Sequence, residues 1–128
     1  MIVHLCTRDE LDAARATGAR HAPSLDDVGF LHCSDPGTVH LPATRLHPGR
    51  TDLMVLEIDP ARLDVEVRWE PGAAASGPED PAGPWFPHVY GPVPMTAVVG
   101  VHPLAPEPDG TFRPPPGMHS RGPGPTRG

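Results

Sequence analysis

The 128-residue chain carries 16 acidic groups against 10 basic ones, a net charge of −6, and is long enough for one folded unit around a real core. That acidic balance counts against bulk binding to nucleic acid or to anionic membranes, which needs basic patches. All ten basic residues are arginine, so chemistry through a lysine Schiff base or a P-loop lysine is excluded.

In chain order, "IVHLC" (2–6) predicts a short strand with Ile2, His4 and Cys6 on one face and Val3 and Leu5 on the other. Thr7 followed by Glu10 is a capping-box pattern, and the helix it opens is expected to stop at Gly18. A turn-rich segment then leads to a second strand at about 29–33, inside "GFLHCSD". Ser34 or Asp35 is expected to cap a helix with Pro36 in its first position, shortened or kinked by Pro42. "DLMVLEID" (52–59) is the clearest strand, ended by Asp59-Pro60. "VEVRW" (65–69) alternates, placing its valines inward and Glu66 and Arg68 on the other face. After "FPHVYGPVP" comes a last strand, 96–104. Helices in the first half and strands in the second imply an α+β domain with a mostly antiparallel sheet and two or three short helices.

Twenty prolines and fourteen glycines cluster in two places. Residues 71–84 are expected to form a mobile surface loop, and 105–128 a disordered Pro/Gly-rich tail, which leaves 1–104 as the domain. Two cysteines without a secretory leader predict reduced thiols in a cytoplasmic protein, and no apolar run approaches the ~20 residues that span a membrane.

Three chemistries compete for the reactive side chains. Metal binding is invited by two cysteines and eight histidines, yet no Cys-x-x-Cys or His-x-x-x-His pair occurs, so no metal is expected. A cysteine nucleophile fares no better: alternation turns Cys33 with Leu31 into the core, away from His32 and Ser34. A shared polar cleft accounts for more. His4, the His32/Ser34 pair and the His88/Tyr90 pair each sit on one face of a strand, and Arg68 and Glu70 face together beside Trp69. Trp85 and Phe86, at the end of the Pro/Gly loop, could close over a flat ring.

The blocks "IVHLCT", "PSLDDVGFLHCS", "LMVLEIDP", "VRWE" and "FPHVYGPVPMTAVVGV", in that order across about residues 2–104, resemble the family catalogued as domain of unknown function 952. That family is similar in turn to the ADP-ribosyltransferase fold, a split and mostly antiparallel sheet with NAD in its central cleft. The resemblance implies that His4, with Thr7, orients the ribose and the nicotinamide amide, and that His32, followed by Ser34, takes the second-strand position. The third position usually holds a Glu that stabilises an oxocarbenium-like transition state; His88 stands there instead, and a neutral imidazole lacks a carboxylate's charge. The expected function is binding of NAD or a related nucleotide in a His-lined cleft, with ADP-ribosyl transfer or glycosidic cleavage of NAD. His4, His32 and His88 would carry the chemistry, with Thr7, Ser34, Arg68, Glu70 and Tyr90 contacting the ligand. The alternatives are a non-catalytic small-metabolite-binding module and, third, a metal-dependent hydrolase. The expected partner is a small nucleotide-like molecule rather than nucleic acid or membrane, taken up by a monomer or homodimer.

Overall fold

The computed structural model describes residues 1–71 and 85–115. Strand β1 (Ile2–Thr7) runs directly into helix α1 (Arg8–Thr17), and Thr7 serves both elements. Its hydroxyl accepts the Glu10 N–H while the Glu10 carboxylate accepts the Thr7 N–H, which satisfies two of the donors a helix start leaves open. Gly18 ends α1 at φ 92, a left-handed conformation that glycine adopts without a Cβ penalty.

The remaining elements are β2 (Ala19–Arg20), the single-turn α2 (Ser24–Asp27), β3 (Leu31–His32), α3 (His40–Leu46), β4 (Leu53–Ile58), β5 (Val67–Pro71), β6 (Trp85–Val89), β7 (Val93–Pro94) and β8 (Val98–Leu104). Among the described residues every strand pair is antiparallel and the helices are few, a mixed α+β architecture. Two three-stranded sheets, β1-β4-β8 and β3-β6-β5, are supplemented by the β2-β7 pair. The two larger sheets meet where the chain leaves β3: Cys33 N–H donates to the Pro87 carbonyl at 3.1 Å, and Val3 and Ser34 exchange backbone hydrogen bonds of 2.8 and 2.7 Å. Residues 31–34 thus span from β6 to β1.

Alternation on β1 and β4 sorts the core into layers. Val3, Leu53 and Val55 pack under α3 with Val39, Ala43 and Leu104, while Cys6, Met54 and Leu56 pack against Leu11 of α1. Leu31, Cys33 and Val89 join Ile2, Ile58, Val93 and Ala97 in a third cluster.

Three expectations change. The third helix begins at His40 rather than Pro36, because the Asp35 carboxylate accepts the Gly37 N–H at 2.8 Å and closes a turn there instead of capping a helix. Pro42 consequently falls in the first turn of α3, where backbone N–H groups lack intrahelical partners and the proline removes no bond. The last strand starts at Val98, after a 3₁₀ turn over Met95–Ala97. Residues 105–112, assigned by composition to the tail, lie on the domain. Phe112 is 4% exposed in the α3 layer, its N–H donates to Thr44 Oγ1 at 2.9 Å, and Gly49 N–H donates to the Gly110 carbonyl. The rest of the expected tail, from 116, and the expected loop, from 72 to 84, lie outside the described residues. Among the described residues no helix is long and apolar enough to cross a membrane.

Candidate functional site

Strand order β3-β6-β5 brings together residues that the sequence holds far apart. His32 on β3 is registered directly opposite His88 on β6, and His88 opposite Arg68 on β5. Two residues along, and so on the same face, Glu70 of β5 opposes Phe86 of β6. Side chains of period two then place Phe30, His32, His88, Tyr90, Arg68 and Glu70 on one face, while Leu31, Cys33, Val67 and Val89 turn to the core.

Contacts on that face are short and directional. The Glu70 carboxylate takes two donors on one oxygen: His88 Nδ1–H at 2.8 Å and the Tyr90 hydroxyl at 2.6 Å. The Tyr90 hydroxyl first, and His88 second, hold the Glu70 carboxyl below its usual range, and the Tyr90 phenol is raised by the same bond. An ionised carboxylate only accepts, so Nδ1 of His88 donates to Glu70 and Nε2 is the ring nitrogen not engaged in that bond. Arg68 lies 4.8 Å above the Tyr90 ring and pairs with Glu66 at 2.9 Å. Phe30 covers His88, ring on ring at 3.9 Å and 17°, and both stand edge-on to His32. His32 is exposed; partial loss of water first, then the charges of His88 and Arg45, lower its pKa.

His4 occupies a different setting. It is 5% exposed, its Nδ1–H donates to the His32 carbonyl at 2.7 Å, and its Nε2 accepts the Arg20 Nε–H at 3.0 Å. Burial pushes its pKa down to about 4, against the pull of the His32 carbonyl and with the help of the Arg20 charge. Arg20 reaches on to Glu10 at 3.6 Å, and Glu10 is the carboxylate of the α1 cap. His4 is thus a neutral bridge from the backbone of β3 to a buried guanidinium.

Of the eight residues expected at the site, His32, His88, Arg68, Glu70 and Tyr90 share one face. Thr7 is committed to the α1 cap, and Ser34 is buried where its backbone joins β1. His4 reaches the group through its ring Nδ1–H, which donates to the backbone carbonyl of His32 and not to the His32 ring. The two thiols are buried, Cys6 raised to about 11 by burial and Cys33 raised as well. Among the described residues no group of three or more His, Cys, Asp or Glu could hold a metal ion. Trp85 is 51% exposed, at the boundary of the described residues.

Phe30 and Arg20 are the residues that sequence reasoning passed over. Phe30 carried a signal, standing two positions before His32 and therefore on its face. Arg20 carried none, because its partner lies sixteen residues away across a helix.

The model of a family described as a protein of unknown function (DUF952) matches residues 5–101. The chain is similar to the crystal structure of protein CC0527 from Caulobacter crescentus, at 29% identity and a TM-score of 0.71, with 88% of this chain and 92% of that chain covered. The solution NMR structure of CC0527 gives 26% identity and a TM-score of 0.69, covering 87% of this chain and 90% of that one. No curated protein matches.

Proposed function

We propose that this chain, which belongs to the DUF952 family of proteins of unknown function, binds NAD or a related nucleotide on the His32–His88–Arg68 face and acts at its glycosidic bond. The observation that carries the reading is the Glu70–His88 contact: a carboxylate fixes one imidazole nitrogen and so presents the other as a proton acceptor for a ribose hydroxyl. In an ADP-ribosyltransferase-like fold the third position calls for a carboxylate. Here Glu70, one strand over from His88, supplies that charge to the same surface. Arg68 suits a phosphate, since its planar fork matches two oxygens, and the exposed ring of His32 suits the base or nicotinamide side. His4 acts in this reading through the His32 carbonyl, setting the position of β3.

Incubation with NAD tests it. The expected result is release of nicotinamide that stops in Glu70→Ala and His88→Ala, together with a rise in melting temperature on adding NAD. Absence of both effects overturns the reading. A second reading, binding without turnover, is favoured by the burial of His88 under Phe30 and predicts the melting shift with no nicotinamide.

A further inference from the structure

We infer that Phe30 occupies the seat of the ligand's flat ring, and that a ligand reaches His88 only by displacing it; the inference rests on the nucleotide reading and names the ring subsite within it. The seat is defined by three rings. His88 is its floor, parallel to Phe30 at a centroid distance of 3.9 Å and 17°. His32 is a wall, edge-on to Phe30 at 4.9 Å and 73° and edge-on to His88 at 5.5 Å and 85°. Tyr90 closes another side at 5.3 Å, tilted by 47°. Glu70 anchors the floor by holding His88 Nδ1 and the Tyr90 hydroxyl together.

Phe30 is a chemically odd occupant. Its ring packs on two imidazoles and a phenol, and among the described residues it is in none of the three buried hydrophobic clusters of the core. Donors and acceptors around the seat match a heteroaromatic ring with a polar substituent, such as nicotinamide, better than they match benzene. His88 is only 4% exposed while Phe30 is in place, so its ring face is closed to any ligand.

The backbone changes character just before Phe30: the Val28 and Gly29 N–H groups both donate to the Ser24 carbonyl, at 2.8 and 3.1 Å, and close α2, while pairing in the sheet has not yet begun. Gly29 precedes it at φ 86, and a Cβ there would meet nothing within 4 Å, so the glycine answers to backbone conformation and not to crowding. Asp26, Asp27, Val28 and Gly29 are exposed, and cross-strand pairing begins only at Leu31. Phe30 thus sits at the last unpaired position before the sheet. An incoming flat ring restores the stacking that Phe30 gives up, so the exchange selects planar ligands.

The test uses the full chain as wild type, Phe30→Ala and Phe30→Leu, with NAD and free nicotinamide as probes. Affinity is measured by calorimetry, and carbethoxylation of His88 by diethyl pyrocarbonate is mapped by mass spectrometry. Removing the occupant is expected to tighten NAD binding by about tenfold, the fraction of binding-competent protein having been the limit. His88 is expected to react several-fold faster in Phe30→Ala and to be protected again by NAD or nicotinamide. Phe30→Leu, which keeps apolar bulk without a flat face, is expected between the two and carries the test if Phe30→Ala does not fold. Weaker NAD binding in either variant makes Phe30 the stacking platform itself and overturns the inference. Unchanged His88 reactivity and unchanged affinity overturn it equally. If NAD binds no variant but nicotinamide still protects His88 in Phe30→Ala, the seat stands and the nucleotide reading falls. Protection by neither probe removes the seat.

Discussion

Glu70 and His4 differ in how their surroundings use charge. Glu70 stands at the surface of the sheet and accepts two hydrogen bonds, so its charge is kept and shared with Tyr90 and His88. Tyr90 is the single tyrosine of the chain, so an absorbance titration reads it alone. In the wild type its pKa lies above the ordinary 10.0, first because its hydroxyl bonds to Glu70. Glu70→Gln removes the charge that opposes phenolate formation, and Tyr90 is expected to deprotonate at lower pH; an unmoved titration disproves the contact. His4 loses charge instead of keeping it. Its folded pKa of about 4 lies below the ordinary 6.5, so the unfolded chain takes up the proton first. Its contribution is complete above pH 6.5 and is lost as pH falls toward 4, with a limit of roughly 3 kcal/mol for that gap. Urea denaturation at pH 7 and pH 4.5 checks this: His4→Asn, which keeps a donor near the His32 carbonyl without titrating, is expected to lose less stability on acidification than the wild type.

Elements with local signals were legible. Thr7, Glu10 and Gly18 mark both ends of α1 because capping is settled within four residues. The apolar run Leu53–Ile58 became β4, buried on both faces between β1 and β8. The start of α3 was misplaced because two local rules competed at Asp35 and Pro36. An Asx turn and an N-cap use the same side chain, and tertiary packing of Val39 and Ala43 chose between them. Strands β2 and β7, two residues each, offered no periodicity to find. Gly91 shows a constraint of the same non-local kind: a Cβ there would come within 2.6 Å of Val65 Cγ1, twenty-six positions back.

At the scale of the whole molecule the folded unit extends past Leu104. Phe112 fills the layer between α3 and the β1-β4-β8 sheet, and Thr44 holds its backbone. Phe112→Ala is expected to lower stability by about 3 kcal/mol, as for other buried aromatics cut to alanine; thermal or urea unfolding measures it, and a loss near zero shows that 105–115 is not part of the cooperative unit. Composition misread this segment because prolines dominate it, whereas one aromatic residue suffices to dock it. Short periodicities and residue order alone point to the family, the α+β class, the strand faces and the candidate imidazoles. Which imidazoles share a surface is a property of the folded chain. Strand order put His32, His88 and Arg68 in one row, while burial drew His4 into a neutral bridge to Arg20. Periodicity says which way a side chain points, but neighbours across a sheet are chosen by the packing of the whole chain.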